Sequence, residues 1–258
     1  MKKPERKNVF GLVAKLYQKY RRSYDSELYK LLYSLLPKEE LSILDLGCGT
    51  GKSTEPLIFN AKNREVSVIG ADPDKAMLNE ARLSAKKKKL PITYIRASAE
   101  KLPFKKEEFD AVISGAAFHW FGTVPTIKKI KKVIKSNGVI FIFWAQYIHS
   151  SKGAIGADLY RKYNWKAIPL KFRAHKYVAD LLIKSGFKKV KKVTIPFTEK
   201  MSIPEAIGNM KTNSSFVLLP PKLQKQFAKE MTRAYKVAMK GRKYEVNNLE
   251  LRICYGIK

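Results

Sequence analysis

The residues best placed to do chemistry are Ile43-Leu44-Asp45-Leu46-Gly47-Cys48-Gly49-Thr50-Gly51. Glycines this close together allow a tight turn and let backbone approach a ligand. A helix opening after such a loop presents N–H groups and a partial positive charge, an anion site. The glycines alone would suit a dinucleotide equally well. Two acids narrow the ligand. Asp45 would face a pyrophosphate at close range, which is unfavourable, but it suits a cationic amino group. Asp72 stands 21 residues beyond Gly51, about where an acid hydrogen-bonds ribose hydroxyls. An ammonium, a carboxylate and an adenosine ribose in one ligand satisfy all three features.

Short apolar runs must carry this loop. Ser42–Leu46, Glu65–Ala71, Ile92–Ala97, Asp110–Ser114 and Gly138–Ala145 are apolar throughout rather than alternating, as expected of strands covered on both faces. Helical stretches separate them, and the β-α-β rhythm predicts a doubly wound parallel sheet. Residues 8–36 read as helix, with Leu28, Leu31, Leu32, Leu35 and Leu36 at helical spacing and Pro37 as the stop. In the second half, His175–Ser185 reads as a helix capped by Gly186 and Val190–Phe197 as a strand. Residues 203 to 240 read as helix with a Pro220-Pro221 break, and Leu249–Tyr255 as a last strand. The organisation expected is a helical N-terminal segment (1–36), a ligand-binding core (37–150), and a remainder (151–258) that completes the sheet and adds a helical substrate cap.

Composition removes other classes. The 258 residues carry 52 Lys+Arg against 22 Asp+Glu, a net charge of +30. With 45% hydrophobic residues this is a folded chain rather than a disordered polycation. Residues 1–150 hold +13 and residues 151–258 hold +17, so the shorter part is the more basic. Lysine outnumbers arginine 41 to 11, whereas dedicated phosphate readers favour the planar fork of arginine. Cys48 and Cys254 form no CxxC, so neither a disulfide framework nor a zinc site is implied. His149 and His175 lack ligand spacing, and no metal is expected. No signal-peptide pattern opens the chain, and the most apolar run, Val139–Ala145, is far short of the ~20 residues of a membrane span. A cytoplasmic protein, monomeric or homodimeric, is expected.

The ordered motifs resemble those of the class I S-adenosylmethionine-dependent methyltransferases (methyltransferase type 11 domain). Leu44–Gly51 resembles the family's first motif and Ile69–Leu78 its acidic second motif. Ala97–Phe104 resembles the segment that meets the adenine, Phe109–Ile113 the fourth strand, and Ile134–Gly138 the approach to the fifth. The resemblance covers residues 40–145 and implies a Rossmann-like, seven-stranded, mostly parallel α/β sheet with helices on both faces. It implies S-adenosyl-L-methionine as cofactor, held by Asp45, Gly47, Cys48, Gly49, Gly51, Asp72, Pro73, Ser98, Ala99, Glu100 and Ser114. Ser98 stands where the family usually has Asp, so the adenine amine would meet an acceptor without charge assistance. Lys52, at the expected start of the loop helix, either helps hold the methionine carboxylate or points to solvent.

A narrower likeness is to the trans-aconitate methyltransferase-like group. It rests on Tyr20–Leu28, on Ala117-Phe118-His119-Trp120-Phe121, and on Ile207–Ser215. Relative to that group, Arg22 and Asp25 replace two prolines. Such enzymes act on small molecules, often carboxylic acids, which implies O-methylation of a small anionic acceptor held by Tyr20, Arg21, His119, Trp120 and Trp144. His119 is a base, an anchor for an acid, or a ring packed on Trp120. Phe121 and Trp165 are further candidate walls, and Lys166 and Lys171 further anchors. The rival is a methyltransferase acting on RNA or another polyanion, for which the charge argues. Against it, the loop after the fourth strand reads Ser114-Gly115-Ala116-Ala117, not the Asn/Asp-Pro-Pro-aromatic loop of exocyclic-amine methylation, and no cysteine stands where cytosine methylation needs one. The run Lys86–Lys89 is a phosphate patch or a solvated surface.

Overall fold

A computed structural model of the protein describes residues 10–149, 151–163 and 174–258. Its strands are β1 (Leu41–Leu46), β2 (Val66–Asp72), β3 (Ile92–Arg96), β4 (Phe109–Gly115), β5 (Ile134–His149), β6 (Lys188–Met201) and β7 (Glu245–Ile257). They form one sheet in the order β3-β2-β1-β4-β5-β7-β6. The neighbours from β3 to β5 pair in parallel, in keeping with their largely apolar, non-alternating sequences. Chain order reverses between β1 and β4, the point at which open α/β sheets place their ligands.

The helices are α1 (Ala14–Tyr20), α2 (Ser26–Ser34), α3 (Glu55–Phe59), α4 (Lys75–Lys87), α5 (Val124–Val133), α6 (Ser151–Lys162), α7 (His175–Lys184), α8 (Ile203–Lys211), α9 (Ser214–Val217) and α10 (Pro221–Met239). Among the described residues, none is long and apolar enough to cross a membrane. Their starts are written locally. The Asp74 carboxylate accepts from the amides of Ala76 and Met77 to open α4, and Ser202 with Glu205 forms a reciprocal capping box on α8.

The chain divides into two units. The larger comprises residues 22–144, 170–194 and 252–258; the smaller comprises 1–21, 145–169 and 195–251. The larger unit buries Leu44, Leu46, Val112, Ile140 and Ile142 of the sheet against Ile127, Ile130, Val178 and Leu182 of α5 and α7. The smaller unit has its own core, where Phe227 and Met231 of α10 meet Leu159, Ile207, Met210 and Phe216. In that unit Tyr147 Oη donates to Glu199 Oε2 at 2.8 Å, and the Tyr235 hydroxyl donates to Glu245.

The structure corrects several expected boundaries. The helix expected over residues 8–36 is broken: a 3-10 turn (Phe10–Val13) leads into α1, the chain leaves the helix at Arg21, and Asp25 caps α2 by accepting from the amide of Glu27. The long helix expected over 203–240 is three helices, ending at Lys240 with left-handed φ. α6 was not expected. β5, β6 and β7 all run further than their apolar cores. Trp165, Lys166 and Lys171 lie outside the described residues.

Residues about 190 apart in sequence lock the smaller unit. The Tyr20 ring lies flat on Gly208, where an added Cβ would stand 2.4 Å from it. Arg21 donates from Nε to Thr212 Oγ1 at 2.8 Å and from a terminal nitrogen to Asn213 Oδ1 at 2.5 Å. Gly208→Ala is therefore expected to overpack the α1–α8 contact and cost about 1–3 kcal/mol in urea unfolding. In a Tyr20→Ala background the same change should cost less than half as much, and equal costs would show that the ring does not require the glycine.

Candidate functional site

The site builds from the C-terminal ends of β1, β2 and β4. Asp45 ends β1 beside β2 and β4, in register with Gly70 and Ile113, and is fully buried. A carboxylate there loses water and needs partners. Ser53 Oγ and Thr54 Oγ1 each donate to its Oδ2 at 2.7 Å, while Oδ1 is buried with no hydrogen-bond partner. Burial pushes the Asp45 carboxyl up to about 6 against the two hydroxyl bonds. Asp72, at the end of β2, accepts from the amide of Gly49 on Oδ2 and from that of Asp74 on Oδ1, both at 2.9 Å. Burial raises it to about 6 as well.

The loop between them is shaped by its glycines. Gly47, Gly49 and Gly51 have φ of 75°, 54° and 83°, the left-handed region where only glycine is unstrained. Two of them also make room for protein rather than ligand. A Cβ on Gly47 would meet Ala117 Cβ at 2.5 Å, and one on Gly51 would meet the Tyr94 hydroxyl at 2.5 Å. The loop amides are already committed: Gly47 and Cys48 donate to the Ala71 carbonyl, Gly49 to Asp72, and Gly51 to the Cys48 carbonyl. The expected helix N-terminus is displaced too. Residues 50–54 form turns, and the helix that follows, α3, begins at Glu55 and is five residues long. Lys52 therefore sits in a turn, where desolvation lowers its pKa. The anion site expected at this loop is not what the fold builds; the acid-lined edge is.

The remaining expected residues fall around this edge or elsewhere. Ala97 donates its amide to the Asp72 carbonyl, which holds the Ser98–Glu100 segment at the end of β2; Ala99 is buried, and Ser98 and Glu100 are half-buried. Pro73 is exposed. Ser114 Oγ, at the end of β4, is buried without a partner, as is Thr50 Oγ1. Cys48 is buried, and that burial pushes its thiol well up, so it is no nucleophile. His119 and Trp120 lie in the 3-10 turn after β4, half-buried, with ring centroids 4.9 Å apart. Trp144 is buried edge-on to His175 at 5.3 Å. Tyr20 and Arg21 belong to the smaller unit, where they pack on Gly208 and bond Thr212 and Asn213.

The motifs did not reveal Ser53, Thr54, Tyr29 and Tyr94. Tyr29 Oη donates to the Ser53 carbonyl at 3.0 Å, and Tyr33 Oη donates to the Leu57 carbonyl at 2.6 Å, so α2 pins the turn that carries the Asp45 partners. The hydroxyl pair directly after the glycine loop was the available signal.

The donor set can be tested against a ligand. Asp110, at the opposite end of β4, is answered by Lys135 Nζ at 2.8 Å. Among the described residues Asp45 and Asp72 form no ion pair, in a chain of +30. The free buried oxygen of Asp45 suits an ammonium. Asp72, with one amide on each oxygen, retains lone pairs for two hydroxyls. Ser114 and Thr50 offer buried hydroxyls. These residues fit the amino group and ribose of S-adenosylmethionine.

Comparison with known proteins agrees. Residues 44–142 match the methyltransferase domain family. A methyltransferase-like protein of Schizosaccharomyces pombe is 28% identical over 220 residues, covering 83% of this chain and 78% of that protein. A protein of Saccharomyces cerevisiae named as a probable S-adenosylmethionine-dependent methyltransferase is 30% identical over 156 residues, 58% of this chain and 51% of its own. A solved structure from Anaeromyxobacter dehalogenans, classed with type II methyltransferases, superposes with a TM-score of 0.67 at 18% identity over 92% of this chain and 97% of that one, a likeness of fold. The chain therefore carries a methyltransferase domain on a Rossmann-like sheet. It carries the domain, and a site that fits the cofactor, of an S-adenosylmethionine-dependent methyltransferase.

Two outcomes follow. Asp72→Ala should weaken S-adenosylmethionine binding by about 1–3 kcal/mol in titration calorimetry, and unchanged affinity would remove Asp72 from the site. The pH dependence has a definite sign. Unfolded carboxyls titrate near about 4, whereas those of Asp45 and Asp72 are raised to about 6 in the folded protein. Between those values the folded state binds more protons, so the ligand-free protein loses stability as pH rises through about 6. An ammonium favours the ionised carboxylate, so cofactor affinity should rise over the same window. Calorimetry across a pH series that gave flat affinity would contradict this.

Proposed function

We propose that the enzyme O-methylates a small carboxylic acid by in-line displacement. S-adenosylmethionine, when bound, supplies a methyl group on a sulfonium whose departure leaves a neutral thioether. Asp45 would hold the amino group, Asp72 the ribose, and the Ser98–Glu100 segment the adenine. The work left to the protein is alignment and exclusion of water.

The observation that carries this reading is the poverty of bases in the turn after β4. From Ser114 to Gly122 the only ionisable side chain is His119, and its ring lies against Trp120. An alcohol or amine acceptor requires a base to take its proton, whereas a carboxylate arrives ionised. The +30 charge favours an anionic acceptor. His119 and Trp120 are proposed to anchor and wall the acceptor, with Trp144 beside them. Tyr20 and Arg21 are proposed acceptor contacts by the narrower likeness alone. A cytoplasmic, small-molecule enzyme is the setting proposed.

Transfer of tritiated methyl to small carboxylic acids, phenols, amines and total RNA tests the reading. Methyl esters release their label as methanol in alkali, whereas aryl ethers and methylamines do not. Alkali-labile counts in the carboxylic acids are expected, with His119→Ala raising KM more than it lowers kcat. Label found only in phenols, amines or RNA would overturn the proposal.

A further inference from the structure

The smaller unit presents a feature that methyl transfer to a small acid does not use. Along α10, Lys222, Lys225, Lys229, Arg233, Lys236 and Lys240 are all exposed, at intervals of three or four residues. That spacing places them on one stripe of the helix, about 27 Å long. Pro221, Lys222, Lys225, Gln226 and Lys229 line an open concavity at its start. The one acid of α10, Glu230, is engaged by α6 and the turn after it, accepting from Lys162 Nζ at 2.8 Å and from Tyr163 Oη at 2.7 Å. Among the described residues, none of the six stripe cations forms an ion pair. Like charges three and four residues apart repel, and a polyanion would relieve that repulsion. Past the helix, Tyr244 is 45% exposed, with Lys243 Nζ 5.4 Å from its ring centre.

We propose that this face of α10 and the turn after it dock single-stranded nucleic acid, with phosphates on the helix cations and a base on the Tyr244 ring. The arrangement combines a cationic track with an aromatic platform, the two elements of sequence-tolerant single-strand binding. Its length suits the short end of the site sizes of roughly 4–16 nucleotides. Lysines, as point charges, hold phosphates without demanding fixed geometry. A lipid surface fits less well. The apolar face of α10, Phe227, Met231, Tyr235 and Met239, is buried in the protein, which leaves Val237 as the only large apolar side chain on the exposed stripe. Docking here is a binding event and does not require that the nucleic acid be methylated.

Fluorescence anisotropy with a labelled uridine dodecamer tests the proposal. Six phosphate contacts predict a log–log salt slope near about −4. The charge reversal Lys225→Glu/Lys229→Glu/Arg233→Glu should raise Kd by about tenfold or more and flatten that slope. Lys86→Glu/Lys87→Glu/Lys89→Glu alters net charge equally, and its Kd should stay within about twofold of wild type if the stripe is the site. Tyr244→Ala should weaken the dodecamer by about tenfold but leave an abasic oligomer unaffected. Circular dichroism confirms that each variant is folded. Equal losses from the two triple reversals, no effect of Tyr244→Ala, or binding to anionic vesicles without binding to the dodecamer would each overturn the proposal.

Discussion

Burial of the Asp45 carboxylate is the constraint from which the site follows. An acid at the end of a central strand can be tolerated only if its lone pairs are answered. Ser53 and Thr54 answer one oxygen, and to reach it the chain must double back within a few residues of β1. That reversal sets the glycines at positive φ, spends their amides on the Ala71 carbonyl and Asp72, and brings the turn under α2, where Tyr29 bonds it. The second oxygen is left unanswered. The fold thus spends its loop donors on its own carbonyls and acids and leaves a buried acceptor unanswered, which defines the sign of the group that completes it.

This changes what the glycines mean. In a loop that cradles phosphate, the amides face the ligand and the glycines clear space for it. Here two of the three notches are filled from within, by Ala117 and by Tyr94. The loop therefore serves to hold the carboxylates of Asp45 and Asp72, whose oxygens suit an ammonium and hydroxyls better than a pyrophosphate. Asp110, at the other end of β4, is paired with Lys135, whereas among the described residues Asp45 and Asp72 form no ion pair.

The central sheet was legible because its strands are apolar on both faces, so each run marks itself without reference to its neighbours. Asp45 and Asp72 were legible because their offsets from the glycines are fixed by the turn. The extensions of β5, β6 and β7 were not. They bury Glu199, Glu245 and Asn247, and polar residues at such positions read as loop in a sequence; the partners of the two acids, Tyr147 and Tyr235, lie on other elements. The break between α1 and α2 was hidden for a related reason: the leucine pattern belongs to α2 alone, and what ends α1 is the commitment of Arg21 to Thr212 and Asn213, 191 and 192 residues away. Long-range side-chain bonds decided local structure there. Lys52 lies outside the helix because the glycine loop continues through turns to residue 54 before α3 begins.

The division of the chain has an evolutionary corollary. Each unit is assembled from three separate stretches, and β5, β6 and β7 each pass from one to the other. No single pair of cuts frees either unit, so neither can be exchanged between genes as a cassette. Diversification of acceptor choice in such a chain has to proceed by substitution in place, under the standing requirement that strands shared by both units keep their register.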